Sequence, residues 1–156
     1  MKKELTTEKV YSAYIVLASA KYGKLSEDEK IQVWKIARTL NPIATKFEED
    51  TKNASETFVP YDGFKEDLQK ANEYREKSKD RNADADSLPM SAAEYQDFMK
   101  KFAEYQETVG KALKDFAKTK VCVDFEIISE ETFKRLLESN DWTFGQVVAV
   151  GYVLCD

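Results

Sequence analysis

The sequence predicts a mainly α fold: a long antiparallel helical hairpin or bundle, followed by a small C-terminal segment of one strand and two short helices. Three observations lead there. Glycine (5) and proline (3) are scarce in 156 residues, which disfavours a turn-rich all-β fold. Two capping boxes, "SEDE" and "SAAE", open long stretches with apolar residues at helical spacing. The period then shortens from near 3.6 to 2 at a single place, after Lys120.

The length suits one domain or a domain with a small appendage, and the 42% hydrophobic content suffices for a core. We divide the chain into a helical bundle, 1–118, and an acidic C-terminal segment, 119–156, packed on it. The first helix is expected from about Glu8 to Lys21, closing near Gly23, with Val10, Tyr14, Leu17 and Ala18 on one face. Lys2 and Lys3 ahead of the apolar run Ala13–Ala20 superficially suggest a secretory leader. The run is short, Lys21 follows it directly and Thr6 or Thr7 suits a helix cap, so the stretch reads as an amphipathic helix.

The second helix opens at Ser26, whose side chain can cap while Glu29 reaches back. Its apolar series, from Ile31, Val33, Trp34 and Ile36 to Phe58, persists across Pro42. A straight helix through proline costs about 3 kcal/mol. The helix is therefore kinked or restarted there, and Asn41–Pro42 suits a restart. "VPYDG" marks a turn, and "FKEDLQKANEYREKSKD" a helix with few apolar anchors. "RNADADSLPM" reads as a loop. Ser91 then opens a helix to about 118 bearing Tyr95, Phe98, Phe102, Tyr105, Val109, Leu113 and Phe116. The two long helices are expected to pack together, with the first helix covering their seam.

"VCVDFEII", 121–128, alternates as a strand, Val121, Val123, Phe125 and Ile127 on one face. Its intrachain partner is expected at "SLPM", 87–90, in a short one-edged ribbon because Pro89 cannot donate. At least one edge then stays open, allowing homo-oligomer formation through 121–128. Ser129 caps "EETFKRLLES", and Thr143 caps "FGQVVAVGYVL", which is apolar almost all round and must be buried.

The chemistry-bearing residue types are sparse. Histidine is absent, which removes the commonest general base and zinc ligand. No phosphate-binding loop, dinucleotide fingerprint or nucleophile elbow is present. Asn82, Asp84 and Asp86 alternate like the start of a calcium loop, but the sixth-place glycine is missing and Ala93 stands where the twelfth-place glutamate belongs. We therefore expect no enzyme, no metal and no cofactor.

The net charge is −5, and its acidic excess is local: residues 119–156 hold three Lys/Arg against seven Asp/Glu. Without a basic stripe, nucleic acid is not an expected partner. No segment is long enough to span a membrane, and a cytoplasmic setting with free thiols at Cys122 and Cys155 is expected. The default is then a protein partner. The residues chosen for it are Asp124, Glu126, Glu130 and Glu131, which suit a basic surface, and Trp142. That tryptophan is an aromatic of the kind that anchors interfaces, although its position also suits the joint between the last two helices.

Three stretches, "YGKLSEDEKIQVWKIARTLNPIATKFEEDTKNA", "VDFEIISEETFKRLL" and "NDWTFGQVVAVGYVL", together resemble an uncharacterised family of short, helix-rich proteins encoded by tailed bacteriophages and prophages. The likeness lies in structural motifs, so it carries over no catalytic residue. It implies a phage protein in the host cytoplasm or the virion. Its job would be virion assembly as an accessory structural factor, or binding and blocking a host antiphage defence protein.

Overall fold

A computed structural model describes residues 1–155. The chain is mainly α: six α-helices, a short 3-10 turn and a two-stranded antiparallel sheet among the described residues. The order is β1 (Lys2–Thr6), α1 (Thr7–Ala18), α2 (Glu27–Thr57), α3 (Phe64–Lys77), the turn Ala85–Ser87, α4 (Ala92–Lys118), β2 (Lys120–Asp124), α5 (Glu130–Ser139) and α6 (Phe144–Leu154).

The strand read at 121–128 does not pair with "SLPM". Its partner is β1, in the register Lys2 with Asp124, Lys3 with Val123, Glu4 with Cys122, Leu5 with Val121 and Thr6 with Lys120. Ser87 instead closes the 3-10 turn, whose first residue follows the capping side chain of Asp84. β1 escapes a periodicity reading because one residue, Leu5, is its sole buried apolar contribution. A free two-stranded ribbon is marginal in water, so this one depends on the helices beneath it.

Two compact units emerge, and they do not divide at residue 118. One joins Met1–Lys52 to the chain from Lys114 onward; the other is Asn53–Leu113. The core of the first gathers Leu5, Val10, Ala13 and Leu17 with Val33, Ile36 and Leu40 of α2. From the C-terminal part come Val123, Phe125, Ile128, Leu136, Val150, Val153 and Leu154. The second unit is held by Phe64, Ala71 and Phe98, with half-buried Tyr61, Leu68, Tyr95, Phe102 and Tyr105 around them. Phe64 meets Tyr105 at a ring-centroid distance of 4.8 Å and Phe98 at 5.5 Å.

Three helix expectations change. α1 ends at Ala18 with Ser19 as its cap, short of Lys21. α2 does not restart at Asn41: it is continuous through Pro42, and the Asn41 side chain accepts from the Thr45 hydroxyl at 3.1 Å. Fully buried Leu40 and Ala44 on either side supply the packing that offsets the lost hydrogen bond. α1 packs most extensively on α6, not on a seam between the long helices. The sequence of α6 explains this, since Val150, Val153 and Leu154 all need cover. Gly151 assists from another side: a Cβ there would lie 3.2 Å from Phe133 Cζ of α5.

Truncating Leu5 to alanine removes the sole buried apolar anchor of β1 and should cost about 2–5 kcal/mol in urea unfolding. Glu4→Ala, on the exposed face of the same strand, should stay within about 0.5 kcal/mol.

Candidate functional site

The ladder geometry determines which backbone groups of β2 are satisfied. Met1 and Phe125 exchange both bonds, Met1 N to Phe125 O at 2.9 Å and Phe125 N to Met1 O at 3.3 Å. At the other end Thr7 N donates to Thr119 O at 2.9 Å. In an antiparallel pair such residues alternate, so Val121 and Val123 also face β1 with their N–H and C=O. The backbone groups of Lys120, Cys122 and Asp124 point the other way, to an edge that no described element pairs.

Beside that edge lies a groove of about 530 Å³. Asp28, Ile31, Gln32, Lys35, Ile36 and Thr39 of α2 form one wall, and Asp124, Phe125 and Glu126 the other. Ile31 is 50% exposed and Trp34, one position along the same helix stripe, 56% exposed under the guanidinium of Arg38. Gln32 Nε2 donates to Ile127 O at 3.0 Å, fixing α2 to the chain just after the strand.

The register of α2 is set by its first turn. Ser26 N donates to Glu29 Oε2 at 2.7 Å and Ser26 Oγ accepts from Glu29 N at 3.3 Å, completing the capping box. Glu29 Oε1 also accepts from Thr132 Oγ1 at 3.0 Å and Arg135 Nη1 at 2.9 Å, both on α5. The Ser26 backbone amide, helped by Thr132 and Arg135, holds this carboxyl down at about 2. Arg135 is shared with Glu131 at 2.5 Å.

The sequence-chosen residues separate into three places. Asp124 and Glu126 come together at the groove, Asp124 lying 3.2 Å from the Met1 amino group. Glu130 and Glu131 line a different, open depression with Lys134, Arg135 and Glu138 on α5. Trp142 is half-buried against the core of the first unit. The residues not singled out are Asp28, Ile31 and Lys35. Ile31 and Trp34 belong to an apolar series wider than one helix face, and that excess width was the available signal.

Other features offer less. Phe144, Val148 and Tyr152 form an exposed stripe on α6, spaced by four, with Lys9 Nζ 3.6 Å over the Tyr152 ring and holding that phenol below its usual range. In the Asn53–Leu113 unit, Tyr61 donates to Asp67 at 2.8 Å in a cleft with Lys70 and Lys101. Burial, then Asp67, pushes its phenol up to about 12, so it serves as a donor at neutral pH. A cleft of about 270 Å³ beside Pro42 is apolar, and its Lys46 and Asp50 pair at 2.7 Å. Among the described residues no three His, Cys, Asp or Glu side chains converge to hold a metal. No helix of the described residues is long and apolar enough to cross a membrane. No family model, no curated protein and no solved structure matches the chain.

Glu29 gives a pH signature. Its folded pKa lies below the ordinary 4.5, so its contribution is full above that value and is lost as pH falls from about 4.5 toward 2. Glu29→Gln should lower stability at pH 7 and flatten the acid limb of the stability profile, as followed by urea midpoints from pH 7 to 2.

Proposed function

We propose that this protein works without catalysis, through protein–protein contact made at the open edge of β2 and the adjoining groove, and that it serves a tailed bacteriophage in virion assembly or as an accessory structural factor. One observation carries the contact reading: outward backbone groups at Lys120, Cys122 and Asp124, with exposed Ile31 lining the groove that begins at Asp124. An extended segment added there would satisfy the strand's hydrogen bonds, while Ile31 gives it an apolar side-chain seat. The carboxylates support a non-enzymatic reading, since Glu131 is engaged by Arg135 and Asp124 by the Met1 amino group. The phage setting rests on the sequence resemblance.

The acidic groove and the acidic α5 surface favour a second reading, an inhibitor that occupies a basic surface of a host defence protein. Asp28, Asp124 and Glu126 outnumber Lys35 around the groove. Such an encounter would be steered by charge and weakened by salt.

Detection of the tagged protein in purified virions, and its loss from them on Ile31→Arg, is the expected outcome of the first reading. Ile31 is exposed, so this change should leave the fold within about 0.5 kcal/mol. Particles that lack the protein and assemble normally without its gene would count against a virion role. For the inhibitor, Glu126→Lys, Glu130→Lys and Glu131→Lys together should slow association with the host protein by about tenfold or more at low salt. Unchanged host interference by the triple variant would defeat the electrostatic mechanism.

A further inference from the structure

We infer that the occupant of the open β2 edge is the β2 of a second copy of this chain, running antiparallel and centred on Cys122. The inference rests on the reading of that edge as a contact surface and names what covers it.

Three properties of the strand converge on this register. The residues whose N–H and C=O point outward are Lys120, Cys122 and Asp124, the two ends and the middle of a five-residue strand. A two-fold axis at Cys122 sets Lys120 against Asp124 of the second copy, Cys122 against its counterpart, and Asp124 against Lys120. Every outward group then lies in a closely hydrogen-bonded pair. The charges match at both ends, whereas centring on Asp124 or on Lys120 would face like charges across the axis. Centring on Val123 would leave Asp124 opposite cysteine and bring Glu126, beyond the strand, into the ladder.

The neighbours reinforce the choice. Side chains at Lys120, Cys122 and Asp124 are exposed on the outer face, next to Glu4 and the Met1 amino group of the same copy. Lys120, 2.7 Å from Glu4, would then stand between that carboxylate and Asp124 of the second copy. Opposite charges would alternate across a four-stranded sheet ordered β1-β2-β2-β1. At the axis sits a small, uncharged side chain, which allows close approach. The groove lies at the Asp124–Glu126 end of the strand, where Thr119 and Lys120 of the second copy would stand. The interface is isologous and closed, so it yields a dimer and not a fibre.

Sedimentation equilibrium at micromolar to hundred-micromolar protein tests this directly, with the expected species at twice 17.9 kDa. In a Cys155→Ser background, a short bis-maleimide should capture that dimer through Cys122, since paired α-carbons sit about 5.5 Å apart in such a ladder. Cys122→Pro removes an outward N–H and no β1 bond, so it should weaken dimerisation at least tenfold while thermal melting stays cooperative. Cys122→Lys, which faces two ammonium groups across the axis, should do the same should the proline variant fail to fold. Cys122→Ser should remain dimeric. A wild-type chain that is monomeric at a hundred micromolar overturns the inference, and so does a dimer intact in both disruptive variants. If that monomer still loses a partner protein on Cys122→Pro, self-pairing falls while the edge stands as a contact surface.

Discussion

The β1–β2 ladder is the constraint on which the first unit depends. Its terminal pair, Met1 and Phe125, is separated by 124 positions, and every bond between them closes that whole span. Thr7 carries the tie into the helices, its backbone amide bonded to Thr119 O and its hydroxyl to Phe116 O at the end of α4. Since α1 begins at that same residue, the ladder sets where α1 starts and therefore which face it offers to α6. Leu5 on one strand and Val123 on the other then enter the same core as Val10 and Val153. The strands are short and contribute little area of their own. They act by fixing where the helices begin and end.

A second tie works by charge and capping. Glu29 satisfies the first turn of α2 and reaches Thr132 and Arg135 on α5, so one carboxylate registers two helices. The groove wall contributed by α2 inherits its position from that turn and from the Gln32–Ile127 bond. The surface beside the β2 edge is therefore built on rigid elements, the condition under which an interface loses little to ordering on binding.

Much of the helical content was legible because its signals are local. Both capping boxes form as the spacing of Ser26 with Glu29 and Ser91 with Glu94 implies. The last two helices match their Ser129 and Thr143 caps. β2 was visible through its alternation, although it spans Lys120–Asp124 and residues 125–128 of the expected strand lie outside it. β1 was not visible, since "KKELT" buries a single side chain and one residue has no period. Its pairing is a tertiary fact, decided by where the intervening helices bring the chain back. At Pro42 the packing of Leu40 and Ala44 outweighs the local preference to restart, so α2 runs on through it. Of the residues lining the candidate groove, Asp124 and Glu126 were legible by their charge. Ile31 was hidden among residues that share its helix and its hydrophobicity but not its exposure.

That Asn53–Leu113 interrupts a unit assembled from both ends of the chain has a consequence for synthesis. A ribosome adding about 5–20 residues per second releases β1 and α1 well before their partners exist. For roughly ten seconds the nascent N-terminal strand has two unsatisfied edges, and before β2 is made the Asn53–Leu113 aromatic cluster gains its last member, Tyr105, and can form. The inserted unit can thus be the first part of this protein to acquire a core, since the other core waits for β2, α5 and α6.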